Sequence, residues 1–150
     1  MNLTTLYASF LATMGFGILF NVPRKSLLIG GLVGMIGWII YVVLTVNLQL
    51  NMIAATLIAA FGVATISQIL ARLKKMPVTV FSIAGIIPLV PGGMAYETIR
   101  QFIQNNYDEG IRLATVTLLM AGSIAFGLII SGVITESFSQ KRGNQKEYQE

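Results

Sequence analysis

The chain has 150 residues, of which 55% are apolar and only 11% charged, and its mean hydropathy is +0.76. Soluble domains carry about 25% charged residues, so this composition defines an all-α integral membrane protein and argues against a soluble enzyme. Cysteine and histidine are both absent, which removes disulfides, thiol nucleophiles, imidazole bases and soft-metal sites, and the net charge of +4 sits in short connections and a tail, a pattern of membrane orientation rather than of nucleic-acid binding.

Five apolar runs follow one another, over residues 3–20, 27–46, 52–70, 78–96 and 113–134. A bilayer core about 30 Å thick takes roughly 20 helical residues, so each run is expected to span. That gives a five-helix transmembrane domain over residues 1–135 and a polar cytoplasmic tail over residues 136–150. The first run is the shortest and most polar, with Thr4, Thr5, Ser9 and Thr13. No Lys or Arg precedes Arg24, so the basic flank of a signal peptide is missing and the run is expected to remain in the membrane. Asn21 is expected to cap its end.

The second run is glycine-rich. Gly30 and Gly34 form a GxxxG pair, and Gly31 and Gly37 widen a smooth face that lets another helix approach closely. The last run carries a similar series, Ser123, Gly127 and Ser131. Packing inside the bundle is the expected use of both faces, with a homo-oligomer or partner contact as the alternative. The third run brings Thr65, Ser67 and Gln68 close to Arg72; they line a pathway or bond to a neighbouring helix.

The fourth run is interrupted by Ile87-Pro88-Leu89-Val90-Pro91-Gly92-Gly93. Proline lacks an N–H and clashes with the preceding turn, while glycine loosens the helix further. Pro88 lies ten residues beyond Val78, about 15 Å deep at 1.5 Å per residue, so a proline/glycine-broken fourth helix is expected near the bilayer midplane. In lipid such a break survives where protein or a water-filled cavity receives the freed backbone groups, and transporters build substrate sites this way. The carbonyls of Ala84 and Ile87 are expected to lose their helical donors. The N–H groups after Gly92-Gly93 are expected to face the gap with the positive end of a helix dipole. The two ends suit a small carboxylate or an amino acid carrying both charges. Ser82, two turns earlier, faces the same cavity in this reading, and Tyr96 closes the segment at headgroup level. Glu97, the one acid beside the break, is a candidate proton carrier, with a solvated interfacial acid as the alternative. A kinked helix with no ligand is the competing reading of the whole segment.

Beyond it, Ile99, Phe102 and Ile103 fall at helical spacing, so residues 97–112 are expected to form a helix along the interface with Tyr107 at headgroup level. Eight of the ten basic residues fall on one side of a five-span chain: Arg24, Lys25, Arg72, Lys74, Lys75, Lys141, Arg142 and Lys146. The positive-inside rule then predicts an outside N-terminus and a cytoplasmic C-terminus.

Phe20-Asn21-Val22-Pro23-Arg24-Lys25 with the glycine-rich run through Trp38, and Ile87 through Tyr96, resemble the second half of threonine/serine exporter (ThrE) family proteins, closest to the small YjjB-type subunit. The resemblance covers nearly the whole chain. It implies a bacterial inner-membrane exporter of small polar metabolites such as threonine, serine or succinate, working with a larger multi-span YjjP-type subunit. The Gly92-Gly93 pair departs from the family's usual pattern after Pro91 and leaves the substrate open. No cofactor or metal is expected. A non-transporting accessory subunit is the alternative function. An intramembrane enzyme is a poor third, since no nucleophile–base pair or buried carboxylate pair is present.

Overall fold

A computed structural model describes residues 3–147 of the chain, with side chains from 4 to 137. Every regular element among them is helical: α1 (Leu3–Leu19), α2 (Arg24–Val42), α3 (Met52–Lys74), α4 (Thr79–Ile86), α5 (Gly92–Ile103) and α6 (Tyr107–Glu147). A π-helical turn, Val43–Asn47, extends α2, and a 3-10 turn, Ile87–Leu89, extends α4.

Three segments are long and apolar enough to cross a membrane: Arg24–Asn47, Met52–Lys74 and Tyr107–Ser137. The pair Thr79–Leu89 and Gly92–Ile103 passes only when taken together, and it is bent by 50°. The chain is thus an all-helical protein with three or four candidate spans. The expected first span is shorter than a spanning helix should be. Its 17 residues reach about 26 Å, less than a hydrocarbon core of about 30 Å.

Two boundaries differ from expectation. Residues 97–112 do not form a helix of their own; α5 restarts at Gly92 and runs without interruption through Glu97 to Ile103. The turn falls at Gln104–Asn106, where Asn105 is left-handed (φ 61°) and Asn106 N–H returns to the Gln101 carbonyl at 2.9 Å. After it α6 begins at Tyr107, with Asp108 and Glu109 in its first turn, where a helix dipole favours negative charge. The tail expected over residues 136–150 continues α6 as helix to Glu147, and its side chains beyond residue 137 lie outside the described ones.

Other ends follow local chemistry. Asn21 (φ 58°) closes α1, its N–H on the Ile18 carbonyl at 3.0 Å and that of Val22 on Gly17 at 2.9 Å; asparagine tolerates the left-handed conformation that this kind of cap requires. Asn51 caps α3 by accepting from Ile53 N–H at 3.0 Å.

Small residues set the packing. Gly30 and Gly34 do not share a single partner, as their GxxxG spacing suggests; Gly30 faces Ala84 of α4, whereas Gly34 lies under Thr13 of α1. Gly37 lies under Val63 of α3, and Gly85 of α4 under Val33 and Val63. The α3/α6 contact is the closest to backbone: a Cβ on Gly127 would stand 2.8 Å from the Leu57 carbonyl oxygen and 2.9 Å from Phe61 N. Ser123, on the same helix, is buried and donates to its own Leu119 carbonyl at 2.9 Å. Val33, Ala59, Ala60, Val63, Leu89 and Ile124 form the apolar core between these helices. By contrast, α5 packs chiefly on α6, with Phe102 against Gly110, and leaves Tyr96, Ile99 and Ile103 exposed.

The helix directions collect charge. Ser26 donates to Met76 Sδ at 3.2 Å, and an Arg72 Nη donates to the Thr135 carbonyl at 3.3 Å. These contacts bring Arg24, Lys25, Arg72, Lys74 and Lys75 to one end of the bundle. At the opposite end Arg100 and Arg112 are each paired with an acid of the same helix, Glu97 at 3.3 Å and Glu109 at 2.8 Å.

Candidate functional site

The break after α4 is tighter than the sequence suggests. Ile87 N–H donates to the Ala84 carbonyl, and Val90 N–H to the Ile87 carbonyl at 3.2 Å. The expectation that Pro88 and Pro91 strip both carbonyls of donors is therefore corrected: a 3-10 turn shortens the hydrogen-bond spacing and re-pairs them. Val90 is extended (φ −63°, ψ 125°), as a residue before proline prefers. Then α5 starts, its first intrahelical bond running from Ala95 N–H to the Pro91 carbonyl at 2.9 Å. Gly93 and Met94 precede that bond, in the positions where helix N–H groups lack intrahelical acceptors.

Neither Gly92 nor Gly93 has a positive φ, and a Cβ on either would meet nothing within 4 Å. Neither packing nor backbone geometry asks for glycine here. What the pair does is keep the start of α5 bare.

That bare start faces a cavity of about 280 Å³ lined by Pro88–Met94 together with Trp38, Tyr41 and Met120. A second cavity, about 390 Å³ and more apolar, lies on the other side of Pro88 between α1, Trp38 and Ile87. Trp38 borders both. Its ring stacks on Tyr41, centroids 5.5 Å apart, and its Nε1–H is buried without a hydrogen-bond partner. An unpaired buried donor costs about 1–3 kcal/mol. Trp38, Tyr41 and Met120 were not legible as site residues. The available signal was the chain's single tryptophan placed mid-run on a glycine-rich helix, where an interfacial position is more usual.

Of the expected substrate residues, Ile87, Pro88, Pro91, Gly92 and Gly93 line the two cavities at the break. Ala84 is buried against Gly30. Tyr96 points outward, 69% exposed. Glu97 is engaged within α5, on Arg100 and, at 2.7 Å, on Gln101, and it borders none of these cavities.

Ser82 belongs to a different cavity. At the basic end, α3, α4 and α6 border an open cleft of about 500 Å³ lined by Gln68, Arg72, Ser82, Thr135 and Glu136, with the buried Ala64 and the half-buried Leu128 among its walls. Gln68 is nine-tenths buried, and its Nε2 donates to Ser131 Oγ at 3.0 Å. Thr65 commits its hydroxyl hydrogen to the Phe61 carbonyl at 2.8 Å, so the 3.0 Å contact to Ser131 is a bond donated by Ser131. Thr65 and Gln68 tie α3 to α6, the second of the two roles expected of them, and Gln68 also borders the cavity. Ser67, fully buried, has no partner for its Oγ.

The basic-end and break cavities are separated by the apolar core. Along α6, Met120 borders one, Ile124 lies in the core and Leu128 borders the other; the eight steps from Met120 to Leu128 rise about 12 Å.

Helices long and apolar enough to cross a membrane, with one bent pair among them, define a helical protein of the membrane class. The chain belongs to the threonine/serine exporter (ThrE) family, whose sequence profile matches residues 5–134. A protein of uncharacterised function from Haemophilus influenzae is 29% identical over 136 residues, covering 81% of this chain and 43% of that protein. The chain thus spans less than half the length of this relative. No solved structure matches it.

Proposed function

We propose that this chain is one half of a secondary exporter of small polar metabolites in a bacterial inner membrane, with its N-terminus outside and its C-terminus in the cytoplasm. The observation that carries the proposal is the cavity at the break, which Trp38, Tyr41 and the uncovered start of α5 border together. The first N–H groups of α5 suit a carboxylate oxygen. In this reading α1 is a fifth, short span, α4 and α5 together make the broken fourth, and the basic end is cytoplasmic.

A larger multi-span partner is supported by the relative that is more than twice as long as the region it shares with this chain, and by the one-sided packing of α5, which lies chiefly on α6. Lipid or the partner covers the exposed faces.

The test is flux. Proteoliposomes holding this chain with its co-purified partner are loaded with threonine, serine or succinate and assayed for counterflow. Transport of at least one is expected; carriage of none sinks the proposal. The one-sided packing of α5 also favours a second reading, an accessory subunit that steadies a transporter. Undiminished flux from the partner alone would establish that reading instead.

A further inference from the structure

The turn between α1 and α2 carries a motif that the break does not use, Phe20-Asn21-Val22-Pro23-Arg24-Lys25. Asn21 in its left-handed conformation reverses the chain there, and α2 starts at Arg24. A cleft of about 500 Å³ opens at this turn, lined by Ile18, Asn21, Val22, Arg24 and Leu27. Its walls are of two kinds. Ile18, Val22 and Leu27 are apolar, and Leu27 lies over Gly17, where a Cβ would stand 2.8 Å from its Cδ2. The apolar surface continues into Leu19 and Phe20, both exposed. Arg24 supplies the charge, with Lys25 beside it in the chain; among the described residues neither makes a hydrogen bond or an ion pair through its side chain, and the Asn21 amide is likewise uncommitted. The bond from Ser26 to Met76 brings the Lys74–Lys75 end of α3 toward the same turn. No acid answers these cations. Among the described residues the acids are Glu97, Asp108 and Glu109 at the opposite end of the bundle and Glu136 on α6, which packs on α3 and α5, whereas α1 packs chiefly on α2.

We propose that this cleft is a binding site for an anionic phospholipid, its phosphate on Arg24 with Lys25 beside it, its glycerol oxygens on the Asn21 amide and one acyl chain along Ile18, Val22 and Leu27. The inference goes beyond the exporter reading and needs only that the chain sits in a bilayer. Charge decides the class of lipid. Lys and Arg clustered at the membrane boundary draw anionic head groups. A zwitterionic lipid would set its ammonium among cations, with no acid to receive it. Shape decides between a lipid and a free anion: Ile18, Val22 and Leu27 have nothing to offer a phosphate ion, but they match a hydrocarbon chain. A lipid here also bears on α1. The 17 residues of that helix fall short of the hydrocarbon core. A head group held at the turn draws the bilayer surface down to the helix end, the thinning that a short span requires.

The experiment is native mass spectrometry of the full chain in an uncharged detergent with equal amounts of dioleoyl phosphatidylglycerol and dioleoyl phosphatidylethanolamine, with thermal unfolding followed in the same mixtures. The protein is expected to retain phosphatidylglycerol over phosphatidylethanolamine by about fivefold or more, the worth of one cation at a membrane surface. Arg24→Gln should weaken that retention by about fivefold and Lys25→Gln by up to as much, while Arg24→Lys should keep most of it. Arg24 and Lys25 are exposed, so the lipid-free unfolding midpoint should stay at the wild-type value in all three, which reports folding apart from binding. Asn21→Gly keeps the left-handed turn without the amide and should weaken retention less than Arg24→Gln does. Lys74→Gln removes a charge from the same end but off the cleft and should leave retention as in the wild type. Equal retention of the two lipids overturns the proposal, as does wild-type retention in both Arg24→Gln and Lys25→Gln. A loss in Lys74→Gln equal to that in Arg24→Gln overturns the cleft in favour of diffuse surface charge. Inorganic phosphate or sn-glycerol 3-phosphate raising the midpoint as far as phosphatidylglycerol does would mark a site for a free phosphate and overturn the lipid.

Discussion

The cavity at the helix break and the cavity at the basic end are built from different materials. The first is walled by Pro88, Leu89, Val90, Met94 and Met120, and offers a ligand the aromatic side chains of Trp38 and Tyr41 and the backbone start of α5. The second offers Gln68, Arg72, Ser82 and Glu136. The difference follows from solvation. A full charge is expensive to keep deep in a bilayer, whereas helix ends and an indole supply partial charge at far lower cost. Charged side chains belong where water reaches them, and both Arg72 and Glu136 are exposed. Between the two cavities the core of Val33, Val63, Leu89 and Ile124 is closed, so movement of a solute from one to the other requires the helices carrying that core to shift.

The largest effect is expected from breaking the frame that separates the cavities. Gly127→Leu would push a side chain into the Leu57–Phe61 backbone of α3, which cannot yield as a flexible side chain can. The cost should reach or exceed the about 1–3 kcal/mol of an overpacked core. Thermal unfolding in detergent should show a large drop in midpoint; an unchanged midpoint would mean that α3 and α6 do not approach here.

Trp38→Phe comes next and acts on the break cavity. It keeps an aromatic ring beside Tyr41 but removes the unpaired Nε1–H, so stability should hold or rise while export falls. A loss of about 1.4 kcal/mol from one donor is tenfold in rate. Flux equal to wild type, measured with the same proteoliposomes, would take Trp38 out of the site.

Ser131→Ala tests the wall of the basic-end cavity. It removes two interhelical hydrogen bonds, to Thr65 and Gln68, and should destabilise by about 0.6–2 kcal/mol, the range for such bonds in membranes. Thermal unfolding in detergent checks it; an unchanged midpoint would mean that these two bonds do not hold α3 to α6.

The smallest stability effect is expected at Gly92 and Gly93, where alanine meets open space. Alanine at a helix start should leave the fold unchanged or firmer by up to about 1 kcal/mol. Export should nonetheless fall, because the methyl group covers the N–H groups of α5, and the leucine variants should abolish it with the complex still assembled. Full activity in the Gly93→Leu variant would show that nothing approaches this backbone.

Much of the fold is readable in the chain because membrane helices obey strong local rules. Length and hydropathy mark the runs, and Asn21, Asn51 and the proline–glycine segment punctuate them. The short reach of α1 and the restart at Gly92 were harder to see, since apolar composition does not say how many residues will wind into one helix. The candidate site was half legible. Pro88 and Gly92–Gly93 carry their chemistry in the backbone and announce themselves, but Trp38 is 50 residues upstream of Pro88 and reaches the break because Gly30, Gly37 and Gly85 let α2 and α4 lie close in parallel.

The sequence by itself determined the membrane class, the helical architecture, the position of the break and the exporter family. These are consequences of composition, of proline's missing N–H and of short motifs, all local properties of the chain. The tertiary structure decided which residues meet: Trp38 with the start of α5, Ser82 with Gln68 and Arg72 rather than with Pro88, and Ala84 with Gly30 in the core. It also decided that the carbonyls of Ala84 and Ile87 are paired. Those outcomes depend on which faces of separate helices pack together and on how a backbone relaxes around two prolines, and neither is encoded within a single segment.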